Sequence, residues 1–114
     1  MEIQEEQIGG THVVTVKGRL DGVTSSAFAD RMGALIAHPN PKLLVDFADV
    51  DLVTSAGLRA VLLIIKRVKA SGGAFALCNV QASVQEVFDI SGFTAMLSIH
   101  AARAEGIAAL AAQE

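Results

Sequence analysis

The stretch from Val45 to Leu58 constrains the fold more than any other part of the chain. An apolar run, Leu43 to Val45, passes into acidic and small residues, and a Thr54-Ser55 pair then opens a long apolar segment from about Ala56. That succession is expected of a buried strand, a loop and a helix whose first turn is capped by a hydroxyl. A serine or threonine in such a place accepts a hydrogen bond from a backbone N–H that has no partner within the helix. The same helix end carries partial positive charge and tolerates an added anion. Ser55 is therefore a candidate cap and also a candidate switch.

The rest of the chain arranges itself around that strand and helix. Glu2 to Ile8 and His12 to Lys17 read as strands, and the Gly9-Gly10 link between them is short enough to make an antiparallel hairpin. Thr24, Ser25 and Ser26 offer caps for a first helix, on which Phe28, Met32, Leu35 and Ile36 form one stripe. Pro39 and Pro41 end it. Lys42 to Phe47 is nearly all apolar, as expected of a central strand, and the passage from strand through helix to strand points to a parallel crossover. The second helix is expected from Ala56 to Ala70, closed by Gly72-Gly73. Beyond it come a strand at Ala74 to Asn79, a short helix at Ala82 to Ile90, a turn and short strand within Phe93 to Ile99, and a terminal helix at Ala101 to Ala112. The expected architecture is α/β: one domain over residues 1–114, with a mixed sheet of four to five strands and about four helices.

At about 100° per residue, Leu58, Val61, Leu62, Ile65 and Val68 share one face of the second helix. Ser55, Arg59 and Lys66 line up on the other side, with Leu63 and Arg67 beside them. A solvated helix face and a partner-docking face both fit that pattern.

Several kinds of chemistry are excluded or unsupported. With a formal net charge of −3 and no Trp or Tyr, nucleic acid is not the expected partner. Cys78 is the only cysteine, which rules out a disulfide framework; its apolar neighbours mark it as a buried thiol. His12, His38 and His100 lie on separate elements without a second ligand at helical spacing, so no metal or cofactor is expected. Ser55 has neither a nucleophile elbow nor a histidine at motif distance, and an enzyme is not expected. Asp46, Asp49 and Asp51 form an acidic cluster before the helix. Turn chemistry accounts for it, and a carboxylate at Asp46 that orients a partner's group is the alternative. The opening residues are acidic where a secretory signal is basic, and the apolar run Ala60 to Ile65 is too short for a bilayer. A cytoplasmic protein without membrane insertion is expected.

The segment Val45-Asp46-Phe47, the acidic loop, and Thr54-Ser55-Ala56-Gly57-Leu58-Arg59 resemble the signature of STAS domains, and more closely that of the bacterial anti-sigma factor antagonists. Gly18-Arg19-Leu20-Asp21 resembles the family's Gly-x-Leu-Asp segment, and the likeness extends over about residues 2 to 100. The resemblance implies a STAS fold and a binding module regulated by phosphorylation. Its partners would be an anti-sigma factor that is itself a serine kinase of the histidine-kinase-like ATPase type, and a serine phosphatase. The unmodified antagonist would bind the anti-sigma factor and phosphorylation would release it. Many family members read Asp-Ser-Ser-Gly-Leu, whereas here Ala56 stands directly before the glycine and Thr54 takes the place of the aspartate. In relatives with Ser-Ala-Gly-Leu the serine before the alanine looks like the acceptor, which makes Ser55 the implied phosphorylation site and Thr54 a second candidate. The implied docking surface comprises Asp21, Asp46, Thr54, Ser55, Ala56 and Gly57, continued along the helix by Arg59, Leu63 and Lys66. A STAS scaffold or small subunit of a transport or signalling assembly, never phosphorylated, is the alternative that Ala56 keeps open.

Overall fold

The computed structural model describes residues 1–113. Glu2–Ile8 (β1) and Thr11–Leu20 (β2) form the antiparallel hairpin, with Ile8 opposite Thr11 across the two glycines. Gly9 takes a φ of 60°, the left-handed geometry that a two-residue hairpin turn needs at its first position and that glycine supplies without strain. Ser25–Leu35 (α1), Lys42–Val53 (β3), Ser55–Ala70 (α2), Ala74–Cys78 (β4), Ala82–Ile90 (α3), a 3₁₀ turn at Thr94–Met96, Ile99–His100 (β5) and Arg103–Ala111 (α4) complete the order. The sheet runs β1-β2-β3-β4-β5, and every pairing after the first is parallel.

The two sheet faces are covered unequally. Phe28 and Met32 of α1, the buried side of α2, and Val84 and Phe88 of α3 join Val14, Val45 and Phe47 in one large core. Among the described residues only α4 lies over the opposite face, where Leu110 packs with Val13, Leu44, Ala76 and Cys78. Alternation along each strand explains the division: Leu43, Val45 and Phe47 point one way, and Leu44 and Asp46 the other. α4 seats closely because Gly106 is its contact residue; a Cβ there would stand 2.6 Å from a Leu44 methyl.

Helix α2 buries Leu58, Val61, Ile65 and Val68 of the expected stripe and adds Ile64, while Leu62 is only half-buried at its border. It ends in a Schellman motif: Gly72 adopts a φ of 76°, its N–H reaches the Lys69 carbonyl, and the Gly73 N–H reaches that of Val68.

Two expectations need correction. Strand β3 does not stop at Phe47 before an acidic loop; it continues to Val53, paired with the far end of β2. The register shifts twice, between Thr15 and Lys17 and between Gly18 and Arg19, and each time β3 supplies the extra residue. These bulges turn Phe47, Val50 and Val53 to the core at intervals of three, which hides the strand's period of two. The terminal helix begins at Arg103 rather than Ala101.

Candidate functional site

The end of β3, the start of α2 and the turn after β2 meet at the C-terminal end of the parallel strands. Thr54, extended at φ −88° and ψ 176°, is the N-cap of α2. Its hydroxyl accepts from the Gly57 N–H at 3.4 Å, and its own N–H donates to the Leu20 carbonyl at 3.0 Å. Capping therefore falls to Thr54 and not to Ser55, because the chain turns helical one residue earlier than the sequence suggests. Ser55 opens the first turn of the helix, exposed, and among the described residues its hydroxyl makes no hydrogen bond.

Gly57 is the point of closest approach. A Cβ on it would come within 2.3 Å of the Leu20 carbonyl oxygen, so this position belongs to the packing of α2 against β2 and presents no surface to a partner. The turn after β2 lies alongside: a Cβ at Gly22 would stand 4.0 Å from that of Ala56. Asp21 organises that turn. Its carboxylate accepts from the backbone N–H groups of Val23 and Thr24 at 2.9 and 3.0 Å, and Thr24 Oγ1 accepts from the Asp21 N–H at 2.9 Å. The Thr24 amide is the main reason the Asp21 carboxyl is held below its ordinary pKa, with the Val23 amide, the Thr24 hydroxyl and Arg19 adding to it.

Arg59, Leu63, Lys66 and Arg67 form an exposed strip running away from Ser55 along α2. The Arg67 guanidinium covers Gly33 of α1, where a Cβ would meet it at 2.9 Å.

Asp46 does not belong to this surface. It is 5% exposed and lies on the other sheet face, beneath the start of α4. Arg103 Nε and Nη2 both donate to Asp46 Oδ2, at 3.2 and 3.0 Å; Nη2 also reaches Thr15 Oγ1, and Nη1 reaches Glu6 Oε1, each at 2.7 Å. The remaining oxygen accepts from the Ala48 N–H at 2.9 Å and from Asn79 Nδ2 at 3.2 Å. With its acceptors used inside the fold, the carboxylate has nothing left to orient a partner near Ser55.

A STAS domain family model matches residues 2–106. The chain belongs to the STAS domain family. A Bordetella bronchiseptica protein named as an anti-sigma factor antagonist, BtrV, is 28% identical over 109 residues, covering 96% of this chain and 94% of that protein. Among solved structures, an anti-sigma factor antagonist from Mycobacterium paratuberculosis superimposes with a TM-score of 0.86 at 22% identity, covering 96% of this chain and 93% of that one. The anti-sigma factor antagonist SpoIIAA in its unphosphorylated form gives 0.79 at 23% identity, covering 96% of each chain. Its phosphorylated form gives 0.71 at 22% identity, covering 95% of this chain and 98% of that one. This STAS domain is thus similar to anti-sigma factor antagonists, and the family is one of binding modules rather than enzymes.

Other chemistry is sparse in the STAS domain. The rings of His12 and His38, on separate elements, have centroids 5.7 Å apart, but among the described residues no three potential metal ligands cluster. Burial first, and the Asp46 charge second, push the Cys78 thiol up to about 11, so it is a poor nucleophile. Also among the described residues, no helix is long and apolar enough to cross a membrane. Sequence reasoning missed Arg103, because 57 residues separate it from Asp46 and it sits in an Ala-rich segment with no local cue. It also missed Val23, an exposed valine whose only signal is its place in a turn of polar and small residues.

Proposed function

We propose that this STAS domain acts in the cytoplasm of a bacterium as an anti-sigma factor antagonist in a partner-switching pathway. Unmodified, it binds an anti-sigma factor that is also a serine kinase of the histidine-kinase-like ATPase type; phosphorylation of Ser55 releases it and a serine phosphatase restores it. The observation that carries the reading is the division of work between adjacent hydroxyls. Thr54 is committed to the helix cap, while Ser55 is exposed, without a hydrogen bond among the described residues, and directed away from the core. That division supports Ser55 as the acceptor, with Thr54 the lesser candidate. Asp21, Ala56, Arg59, Leu63 and Lys66 border Ser55 in the proposed docking surface; Gly57 supports it from beneath, and Asp46 drops out of it.

Burying an unpaired charge at an interface costs on the order of 2–5 kcal/mol. A loss of about 4 kcal/mol weakens binding roughly a thousandfold, enough to separate the partners. The test is capture with the wild type, Ser55→Ala and Ser55→Asp, together with labelling by the captured kinase and ATP. Capture of a histidine-kinase-like ATPase by Ser55→Ala but not by Ser55→Asp, with label on Ser55, is expected. Absence of label on both Ser55 and Thr54 would favour a scaffold or small-subunit role instead.

A further inference from the structure

Val23 is the most exposed of the large apolar side chains in the described residues, at 88%, and it stands on the turn that touches the start of α2. The turn is stiff. Asp21 accepts the Val23 and Thr24 amides, and the Thr24 hydroxyl, besides accepting from the Asp21 N–H, donates to the Arg19 carbonyl at 2.8 Å. An apolar group held this way forfeits little freedom on binding, which is the property of an interface anchor. Leu52, also exposed, lies at the end of β3 opposite Arg19.

The charge along α2, beside this anchor, is one-signed. Between Ser55 and Ala70 stand Arg59, Lys66, Arg67 and Lys69 and not one acidic residue, in a chain with 12 acidic and 9 basic residues. Asp21 is neutralised by its own turn and by Arg19 at 3.3 Å, and Asp49 borders a groove with Lys17 and Arg103 on the far face of the sheet. Asp51, exposed near the end of β3, and Asp30, exposed on α1 one turn before the Gly33 that Arg67 covers, are the carboxylates that remain close by.

Resting on the reading of Ser55 as the switch, we infer that the partner presents an apolar socket with carboxylates along one border. Val23 enters the socket, and the cations of α2 meet the border. A protein surface is favoured over an anionic membrane because Asp51 and Asp30, exposed and in no ion pair among the described residues, lie beside these cations; a uniformly negative lipid surface would repel both, whereas a protein can confine its acidic groups to the α2 side. The arrangement assigns a sign to the switch. A phosphate on Ser55 adds about −1.5 to −2 charges directly opposite the acidic border and acts by repulsion as well as by bulk.

The test uses the full chain and the purified histidine-kinase-like ATPase captured by Ser55→Ala, with affinity measured by calorimetry at low and high salt. Val23→Ser is expected to weaken binding by about thirtyfold at either salt concentration, because an apolar contact is not screened. The double variant Arg59→Glu, Lys66→Glu is expected to weaken it at least tenfold at low salt and much less at high salt. Phosphorylated protein should regain part of its lost affinity at high salt. Unchanged melting temperatures would show that each exposed substitution leaves the fold intact. Normal release on phosphorylation, combined with wild-type affinity in Val23→Ser or in the charge-reversed variant, would overturn the inference and leave the Ser55 reading standing. Wild-type protein that captures no such ATPase would overturn both, as would binding to phosphatidylglycerol vesicles that Val23→Ser abolishes without any protein partner.

Discussion

At the scale of single residues, adjacent positions with similar chemistry do different work. Thr54 and Ser55 both carry hydroxyls, yet one closes the helix end and the other faces solvent. The sequence shows that a hydroxyl caps α2, but not which one, because the choice depends on where the Leu20 carbonyl lies in space. Gly57 is the sharper case. Its identity follows from the same carbonyl, which a methyl group would approach to 2.3 Å. Since the obstacle is backbone and cannot rotate aside, Gly57→Ala is expected to destabilise the domain by roughly 1–3 kcal/mol. Urea unfolding checks this: the midpoint should fall while the slope stays constant. An unchanged midpoint would mean that the start of α2 shifts without cost and that the contact with β2 is not tight.

At the scale of elements, the strands and helices that bury one regular stripe were legible, and those set by distant partners were not. α1, α2 and α3 appear close to their expected bounds because each carries its own apolar period and its own stop signal. The second half of β3 read as an acidic loop, since its two bulges replace alternation with a spacing of three and only pairing with β2 reveals a strand. α4 was visible as a helix, but its anchor was not. Its nine residues include Gly106 and no side chain caps its N-terminus, so its place depends on Arg103 and on the apolar contact with Leu44. Arg103→Ala strands the buried Asp46 carboxylate. Solvent reaches the guanidinium, so the expected cost is about 1–3 kcal/mol, below the range for a fully buried pair. Cys78, wholly buried next to α4, reports on it: in Arg103→Ala its reaction with a thiol reagent should speed up about tenfold or more under native conditions. Equal rates in the two proteins would show that apolar packing alone holds the helix down.

At the scale of the whole molecule, the proposed switch is expected to act on affinity and to leave the fold alone. A phosphate at an exposed helix N-terminus gains roughly 0.3–1 kcal/mol from the dipole, and Ser55 has no bond in the described structure that modification would break. Scanning calorimetry of phosphorylated and unmodified protein should therefore give melting temperatures within about 4 °C, the modified form no lower. A large fall would mean that the start of α2 loosens on modification, and release would then be a consequence of unfolding. The lopsided covering of the sheet has a practical corollary. Three helices crowd the side that bears the proposed docking surface, and among the described residues α4 alone covers the other side. A dye, tether or fusion attached on the solvent side of α4 would have a full thickness of sheet between it and the proposed docking surface, which makes that helix the natural handle for watching the molecule at work.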